Sequence, residues 1–311
     1  MNTGCFLPYV GLGSNLLHIG FVKEFAKKNG KITVFTFSKS LPDTLKYEPD
    51  IKETLLLEKV NRVVDIPKLS LKFKKSNVQK LYIFKSSIRY YLSGIFAGIE
   101  THSYPFYKKK NLHLVEEGKR FTQNKLGLVR FENNPKLYLE RRLIDQVKKN
   151  MPVDKKKILI APSSSGPTTM WGTNYFVELM KKLEEKFDCI FFIALDSSEK
   201  EINISKKILN EFKDEKIKIL AKKKISELMP IISCCDISIC NDTSFQHLSC
   251  QLNVPTIILR FDTPSAYSSY SKLQYSILPK GYSEVDHNTK ANPSLISVDT
   301  VLERSLQILS S

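Results

Sequence analysis

The sequence lacks the signatures of several common enzyme classes. The turn Gly11-Leu12-Gly13 is followed by Leu16 where a dinucleotide-binding fingerprint needs its third glycine, and no Gly-Lys-Ser/Thr run follows as in an ATP-binding loop. No HExxH, GxSxG or Asp-x-Asp pattern occurs, which argues against metalloproteases, α/β-hydrolases and transferases that hold a metal through paired aspartates. We therefore expect no NAD, no ATP, no other cofactor and no bound metal ion.

Cysteine pairs and long apolar runs are also missing. The 6 cysteines form no CxxC pair and no zinc-like spacing, and most lie in apolar runs, so we expect buried, reduced thiols in a cytoplasmic protein. No stretch approaches the roughly 18 apolar residues of a membrane span, and residues 1–10 lack the features of a signal peptide. Any membrane contact is expected to be peripheral, at the inner face of the membrane.

Charge, in contrast, is strongly biased. Lys and Arg number 48 against 32 acidic residues, which gives a net charge of +16. This excess favours an anionic partner such as a phosphorylated sugar, a phospholipid surface or nucleic acid, although solvated surface lysines would explain it equally well. The basic residues lie in short clusters, and aromatic residues do not interleave with them as in nucleic-acid-binding modules, so we do not expect nucleic acid.

Alternating strand and helix patterns run through both halves and predict an α/β fold. In the first half we predict strands at 32–37, 60–66 and 81–84, with helices around 17–26 and 88–96. In the second half we predict strands at 158–161, 189–195, 217–220, 236–240 and 256–259, with helices between them, one of which Ser226 would cap.

The charged helix predicted at 136–150 ends in a break around Pro152, where we place a domain boundary. The domains would be residues 1–152 and 153–311, two facing Rossmann-like domains with parallel sheets. Ligands of such sheets bind at the carboxyl ends of the strands. The loops that begin near Gly11, Pro162, Asp196 and Asn241 are therefore the candidate binding regions.

The most specific of these loops is Asn241-Asp242-Thr243-Ser244-Phe245-Gln246-His247. It joins a buried strand to a helix N-terminus, where free amides and the helix dipole suit a phosphate or diphosphate. Thr243 and Ser244 add hydroxyl donors, and His247 lies one turn into the helix. The alternative is ordinary helix capping by Asp242 or Ser244 with a packed histidine.

Three weaker candidates lie at neighbouring strand ends. Residues 163–169 form a hydroxyl-rich loop that would wrap phosphate oxygens, or would be a polar surface loop. Glu199 could accept the hydroxyls of a ribose, or be a solvated acid at a helix start. Trp171, the only tryptophan, is either a packing anchor or a cover over a ligand.

These patterns resemble a known family, the glycosyltransferases that include the lipopolysaccharide heptosyltransferases (glycosyltransferase family 9). The resemblance rests on residues 241–248 and the following Asn253-Val254-Pro255-Thr256. It extends to Gly13-Ser14-Asn15-Leu16, to the stretch from Trp171 to Leu179 and to Ile225-Ser226-Glu227-Leu228. The resemblance implies the two-domain GT-B fold.

The family's known chemistry implies inverting, metal-independent transfer of a sugar from a nucleotide-sugar, such as ADP-heptose, to a glycan or lipopolysaccharide-type acceptor. When the family's donor-binding positions are carried onto this sequence, the residues that would bind the donor are Ser164, Ser165, Thr169, Glu199, Asp242, Thr243, Ser244 and His247. The partners implied are the nucleotide-sugar and an anionic or lipid-linked acceptor.

One departure concerns the catalytic base. Ser14 stands where the family has an aspartate, and neither Ser14 nor the adjacent Asn15 ionises near neutral pH. These two positions are the catalytic candidates that the resemblance gives. A base from elsewhere in the first half is open, with four candidates: Glu100, His102, Glu116 and Glu117. The alternative is a degenerate, non-catalytic GT-B protein that binds a sugar nucleotide or a glycan.

Overall fold

A computed structural model describes residues 2–60, 62–106, 113–133, 135–164, 170–195, 199–221, 223–289 and 291–310. The chain divides into two compact units, Met1–Tyr138 and Leu139–Ser311. None of the helices in the described ranges combines the length and the apolar character that a membrane span requires.

The first unit alternates strands and helices from its start. Its strands are β1 (Thr3–Leu7), β2 (Ile32–Thr36), β3 (Ile51–Leu56), β4 (Lys80–Ile83) and β5 (Glu100–Ser103). Its helices are α1 (Leu12–Leu16), α2 (Ile19–Asn29), α3 (Leu41–Thr44), α4 (Ile66–Lys75), α5 (Ile88–Phe96) and α6 (Leu114–Leu126). The strands form one parallel sheet in the order β3-β2-β1-β4-β5.

Helices cover both faces of this sheet, because its central strands are buried on both sides. On one face, Leu69 and Phe73 of α4 and Tyr90 of α5 pack on Phe6 and Leu81 in a single apolar cluster. On the other face, α2 and α6 approach closely at Gly118. A Cβ there would come within 2.3 Å of the Phe21 ring.

The strand predicted at 60–66 is wrong. Val63–Asp65 is a short 3-10 helix that leads into α4, and the Asp65 carboxylate accepts a hydrogen bond from the Arg62 amide at 3.0 Å. Val63 and Val64 are exposed, so their β-branched side chains do not mark a buried strand. The strand is instead β3, an edge strand whose charged residues obscure the strand pattern.

The second unit repeats the architecture. Its strands are β6 (Lys156–Ala161), β7 (Cys189–Ile193), β8 (Ile217–Ile219), β9 (Ile237–Asn241), β10 (Thr256–Leu259) and β11 (Gln274–Ile277). Its helices are α7 (Arg141–Lys148), α8 (Thr173–Glu184), α9 (Glu199–Leu209), α10 (Ile225–Ile232), α11 (Ser244–Gln251) and α12 (Val298–Leu309). The sheet is parallel in the order β11-β10-β9-β6-β7-β8.

The boundary between the units lies before α7, earlier than the position predicted after residue 152. The break in pattern at Pro152 is real, but it falls between α7 and β6 within the second unit. The reason is that α7 packs against α10 of that unit. Another helix start also differs, because α10 has Lys224 rather than Ser226 at its N-cap position.

All six cysteines are buried and unpaired, as the sequence predicts. Cys5 lies in the central strand of the first unit, and the other five lie in the second. Burial raises the pKa of Cys240 and of Cys189 to about 12.

Candidate functional site

The second sheet reverses its strand order between β6 and β9. β7 and β8 lie on one side of β6, whereas β9, β10 and β11 lie on the other. Loops that leave the carboxyl ends at such a switch point diverge to opposite faces and open a crevice in which ligands of α/β sheets bind. Here the two loops begin at Pro162 and at Asp242.

Asn241 connects these two loops. It is fully buried at the end of β9. Its side-chain amide donates to the Pro162 carbonyl at 2.7 Å, and its Oδ1 accepts from the Trp171 amide at 2.9 Å. One side chain thus fixes where the loop after β6 begins and where it returns to α8.

Trp171 is a packing anchor, which resolves the alternative left open by the sequence. It is 1% exposed, and its indole N–H donates to the Ile296 carbonyl at 2.9 Å. Its ring stacks on Tyr175 and meets Phe176 edge-on. Because every face of the ring is engaged by the protein, it holds the loop rather than covering a ligand.

The loop after β9 turns directly into α11. Thr243 is the N-cap, and its Oγ1 accepts from the Phe245 amide at 3.1 Å. Neither Asp242 nor Ser244 caps the helix, contrary to the capping alternative. The Thr243 hydroxyl still has its own hydrogen to donate, and Ser244 is the first helical residue, at the positive end of the helix dipole.

Asp242 lies partly buried beside this helix start and accepts a hydrogen bond from Gln246 Nε2. Burial raises the pKa of its carboxyl, while hydrogen bonds from Thr263 and Gln246 act in the opposite direction. Asp242 therefore holds the loops after β9 and β10 together.

His247 is buried one turn into α11 and pairs with Tyr270. Its Nδ1 lies 2.9 Å from the Tyr270 hydroxyl oxygen in a hydrogen bond. That oxygen also accepts from Gln251 Nε2 at 3.4 Å. This arrangement favours donation of the phenol hydrogen to Nδ1, which places the imidazole hydrogen on Nε2. Burial lowers the pKa of His247 to about 3, so the ring is neutral near pH 7.

The loop after β10 adds a buried cation. Arg260 is 3% exposed, donates through Nε to the Thr263 carbonyl at 2.9 Å and forms an ion pair with Glu284. Glu284 also accepts from the Ser265 amide at 3.1 Å. Arg260 therefore stabilises the shape of this loop beside Asp242, and its charge is already balanced.

The remaining candidates in this unit are more dispersed. Ser164 is buried in the loop after β6, across the switch point from Asp242. Glu199 is exposed at the first residue of α9, beyond β7. Ser165 and Thr169, together with Asp196, lie outside the described residues. The structure thus groups Asp242, Thr243, Ser244 and His247, with Ser164 on the neighbouring loop.

The first sheet has its own switch point, between β1 and β4. Tyr9 follows β1, and its hydroxyl donates to the Phe84 carbonyl after β4 at 2.8 Å. The Lys85 ammonium lies 5.3 Å from the centre of the Tyr9 ring. An aromatic ring and a cation therefore line this edge, and the sequence patterns did not single out either residue.

Asn15 is a structural residue of the same edge. It is fully buried, and its amide donates to the carbonyls of Tyr9 at 2.9 Å and Gly11 at 2.6 Å. Its hydrogen bonds close the turn after β1. Ser14 is partly buried within α1.

The Ser14 carbonyl accepts a hydrogen bond from His18 Nδ1 at 2.6 Å. Because a carbonyl only accepts, His18 carries its hydrogen on Nδ1, and Nε2 accepts from the Tyr104 hydroxyl at 3.1 Å. Burial lowers the pKa of His18 to about 4. This neutral, buried pair joins the turn after β1 to the end of β5.

The four alternative bases differ in position. Glu100 is the first residue of β5, at the amino end of the strand, where it pairs with Lys80 and His102. Glu116 is half-buried and pairs with Arg120. Glu117 is buried in α6, and its charge contributes to raising the pKa of Tyr104. Glu117 therefore lies near Tyr104, the residue that follows the carboxyl end of β5.

No three His, Cys, Asp or Glu side chains within the described ranges come together as a metal site would require. The β9–α11 junction instead offers hydroxyls, a neutral imidazole and a helix N-terminus, all of which are hydrogen-bond donors to an anionic oxygen.

The profile of glycosyltransferase family 9 (heptosyltransferase) matches residues 84–287. The chain belongs to glycosyltransferase family 9. A curated relative from Haemophilus influenzae, named provisionally as a glycosyltransferase, is 26% identical over 153 residues. That match covers 49% of this chain and 41% of the relative, so the chain spans less than half the length of the curated relative that it matches.

Solved structures show the fold of this family 9 protein. ADP-heptose lipopolysaccharide heptosyltransferase II from E. coli is similar with a TM-score of 0.78 and 17% identity, over 100% of this chain and 99% of the other. A family 9 glycosyltransferase from Veillonella parvula has a TM-score of 0.78 and 14% identity, with 99% and 97% coverage. The α/β GT-B fold that the sequence predicts is therefore confirmed.

A third similar structure is the E. coli heptosyltransferase WaaC with ADP-2-deoxy-2-fluoro heptose. Its TM-score is 0.70 at 11% identity, over 99% of both chains.

Proposed function

We propose that this family 9 protein transfers a sugar from a nucleotide-sugar to an anionic glycan or lipopolysaccharide-type acceptor. The observation that carries the proposal is the cluster of Thr243, Ser244 and His247 at the start of α11, on the switch point of the second sheet. Hydroxyl, imidazole and helix-terminal donors at a switch point suit the diphosphate of a nucleotide-sugar.

The donor would place its diphosphate at the start of α11. Ser164 and Ser165 would bind phosphate oxygens from the loop after β6, and Glu199 would accept the ribose hydroxyls. Thr169, which the family resemblance also assigns to the donor-binding set, would join them. The similar E. coli proteins are an ADP-heptose heptosyltransferase and one with ADP-2-deoxy-2-fluoro heptose, which makes ADP-heptose the first donor to try.

Transfer would proceed by attack of an acceptor hydroxyl on the anomeric carbon, from the face opposite the leaving group. The bond between that carbon and the diphosphate oxygen breaks, so the configuration inverts and a nucleoside diphosphate leaves. The leaving oxygen gains negative charge. The α11 amides, the Thr243 and Ser244 hydroxyls and the His247 Nε2–H would stabilise it by hydrogen bonds, without a metal ion.

The acceptor would lie at the carboxyl edge of the first sheet, beside Tyr9 and Lys85. A ring flanked by an ammonium suits a sugar that carries phosphate or carboxylate groups. The proton of the attacking hydroxyl needs a base. Ser14 does not ionise near neutral pH. We therefore assign the role of base to Glu117, the buried carboxylate beside Tyr104. Peripheral contact with the inner face of a membrane would bring a lipid-linked acceptor to this edge.

The test is a thermal-shift panel of ADP-, GDP-, UDP- and CMP-sugars on the wild type, Asp242→Ala and His247→Ala. A donor at 100 times its Kd adds about 2.7 kcal/mol to the unfolding free energy, which raises Tm by several degrees. We expect a shift with one nucleotide class that both variants lose. Asp214→Ala and His287→Ala, at exposed positions outside residues 241–247, are the matched controls and should keep the shift.

Absence of a shift with every nucleotide-sugar would overturn the donor site. Once a donor is identified, release of nucleoside diphosphate after addition of a lipopolysaccharide-core acceptor tests transfer. The anomeric configuration of the product tests inversion. Addition of a chelator should leave turnover unchanged.

A second candidate is a non-catalytic protein that binds the same nucleotide-sugar. Ser14, in the position of the family's aspartate, favours it. This candidate predicts the same thermal shift in the wild type and the same loss of the shift in Asp242→Ala and His247→Ala. It differs in that no nucleoside diphosphate is released, by hydrolysis or by transfer. Turnover that Glu117→Gln abolishes would exclude it.

A further inference from the structure

The hydrogen-bond donors gathered at the start of α11 carry no positive charge. Thr243 and Ser244 are neutral, and burial lowers the pKa of His247 to about 3, which leaves its imidazole neutral near pH 7. Residues 162–173, which include the loop after β6, contain no Lys or Arg, and neither do residues 241–247. A diphosphate bound between these two loops would therefore meet no cation from either of them.

The strand register brings one basic residue, Arg260, to this place. Leu259 pairs with Asn241 in the parallel strands β10 and β9, so Arg260 and Asp242 leave the two strands side by side. Leu259 and Phe261 both belong to the apolar core cluster on one face of the sheet. Because side chains alternate between the faces along a strand, Arg260 lies on the opposite face.

α11 covers that same opposite face. The Ser249 hydroxyl of α11 donates to the Ser238 hydroxyl of β9 at 3.0 Å, and Ser238 and Asp242 share a face because an even number of positions separates them. Gln246 of α11 donates to Asp242. Burial raises the pKa of Asp242, and the charge of Arg260 acts in the opposite direction, which shows that the two groups are close. Arg260 and the N-terminus of α11 thus lie on one face, at the carboxyl edge of the second sheet.

The Arg260 guanidinium is buried, whereas its carboxylate partner is not. The Arg260 side chain is 3% exposed and that of Glu284 is 49% exposed. Nε donates to the Thr263 carbonyl at 2.9 Å, and Nη2 donates to Glu284 Oε1. No hydrogen bond between residues in the described ranges uses Nη1. Solvent weakens an ion pair that has one exposed member, so a second anion can readily displace Glu284.

We propose that Arg260 binds the diphosphate of the donor, and that Glu284 is a counter-ion which the diphosphate displaces. The proposal rests on the donor site proposed above and adds a cation to it. The planar guanidinium can pair with two phosphate oxygens at once. When the bond from the anomeric carbon breaks, its electron pair stays on the leaving oxygen. Arg260 stabilises that charge and keeps its own proton, because a guanidinium does not ionise near neutral pH.

A purely structural role for the ion pair predicts a different effect of Glu284→Gln. Glu284 Oε1 also accepts from the amides of Ser265 and Val285, at 3.1 Å and 3.0 Å. Glutamine keeps an oxygen for these hydrogen bonds and removes only the charge. If the pair served the loop alone, the change would leave anion binding unchanged or weaken it. If Glu284 competes with the diphosphate, the change strengthens anion binding.

The experiment is isothermal titration of the full chain with inorganic pyrophosphate, which carries the diphosphate group without a nucleoside. Glu284→Gln should bind pyrophosphate about twofold to fivefold more tightly than the wild type, the range expected when an exposed ion pair no longer competes. Arg260→Gln should bind about tenfold more weakly or worse. Arg260→Lys keeps the charge but loses the planar fork, and its affinity should lie between those of the wild type and Arg260→Gln.

Lys181 and Glu211 provide the matched control. They form an ion pair of 2.5 Å at exposed positions, in the second half of α8 and just after α9. Each of these helices returns the chain to the amino edge of the sheet, where β7 and β8 begin. Glu211→Gln and Lys181→Gln should therefore bind pyrophosphate like the wild type. Circular dichroism shows whether each variant is folded, and Glu284→Gln, at an exposed position, carries the test if Arg260→Gln does not fold.

Three outcomes would overturn the proposal. One is pyrophosphate binding by Glu284→Gln that is absent or no tighter than that of the wild type. Another is wild-type affinity in folded Arg260→Gln. The third is a gain in Glu211→Gln equal to the gain in Glu284→Gln, which would indicate net charge alone.

The thermal shift with nucleotide-sugars separates this proposal from the donor site on which it rests. A shift that Asp242→Ala loses and folded Arg260→Gln keeps would contradict the role of Arg260 and leave the donor site standing. Pyrophosphate affinities in the expected order, without a shift by any nucleotide-sugar, would contradict the proposed function and leave Arg260 as a diphosphate-binding residue.

Discussion

The rings of His247 and Tyr270 lie nearly parallel, with 5.8 Å between centroids and 19° between planes, and a hydrogen bond of 2.9 Å joins Nδ1 to the phenol oxygen. The tyrosine therefore sets both the orientation of the imidazole and the position of its hydrogen. If Nε2–H donates to the diphosphate, then Tyr270 acts on the donor through His247 without touching it.

Tyr270→Phe should weaken donor binding about threefold to tenfold, because it removes one hydrogen bond that positions His247. In a His247→Ala background the same change should have almost no further effect, since the tyrosine has lost the residue through which it acts. Isothermal titration of the four proteins measures this coupling. Tyr282→Phe, at an exposed tyrosine, is the control. Additive losses would contradict the positioning role.

Acidification should destabilise the second unit through His247. Its pKa of about 3 lies below its ordinary value of 6.5, so the unfolded chain binds more protons between these values and stability falls as pH falls from 6.5. At pH 5 the loss should be about 2 kcal/mol relative to pH 7. Asp242, whose pKa is raised, acts in the opposite sense. The His247 contribution is therefore the difference in pH dependence between wild type and His247→Asn.

The fluorescence of Trp171 measures this pH dependence of stability. This residue is the only tryptophan and lies in the core of the second unit, so its fluorescence in urea follows the unfolding of that unit. His247→Asn should flatten the pH dependence, whereas His287→Asn, at an exposed histidine, should not. An unchanged slope in His247→Asn would contradict the prediction, because it would show that the imidazole binds its proton equally well in the folded and unfolded states.

Asn241→Ala should destabilise the second unit by about 2–4 kcal/mol, because it leaves a buried carbonyl and a buried amide without their partner. It should also weaken donor binding, since the loop after β6 loses both of its fixed ends. Urea unfolding followed by Trp171 measures the first effect, and thermal shift the second. Asn210→Ala, at an exposed position after α9, should change neither.

Gly118→Ala should destabilise the first unit by about 1–2 kcal/mol, because the added methyl group would lie 2.3 Å from the Phe21 ring where α2 and α6 pack. Gly11→Ala is the matched control for stability. A Cβ there meets no atom within 4 Å, and its φ of −72° suits alanine. Circular dichroism during thermal unfolding compares the two. Phe21→Leu should recover part of the loss in Gly118→Ala.

Glu117→Gln should reduce kcat by about 10²–10⁴ and leave the donor-induced thermal shift unchanged, because it removes a base from the first unit, whereas the donor-binding residues belong to the second. Glu116→Gln changes the neighbouring residue, which is half-buried and paired with Arg120, and should retain activity. Equal activity in the two variants would exclude Glu117 as the proton acceptor.

Local sequence patterns predict the centre of the second sheet well and its margins poorly. β10 was predicted with its observed bounds, because a continuous apolar run bounded by Pro255 and Arg260 is typical of a strand buried on both faces. β11 and α12 were not predicted. β11 is an edge strand whose residues are mostly half-exposed, and its pairing with β10 decides its conformation.

The same limit applies to the candidate site. The motif from Asp242 to His247 is contiguous, so the sequence revealed it. The residues that hold it come from elsewhere in the chain. Tyr270 lies 23 positions beyond His247, and Tyr104 lies 86 positions beyond His18. No local periodicity encodes such pairs, and only the strand order brings their partners together.

The buried cysteines provide a chemical probe of partial unfolding in each unit. A thiol reagent needs an exposed thiolate, and in the native state burial denies it both exposure and ionisation. Cys5 is the only cysteine in the first unit, and the other five lie in the second. The mass added at low denaturant would therefore show which half of the molecule opens first: one modification for the first unit, five for the second.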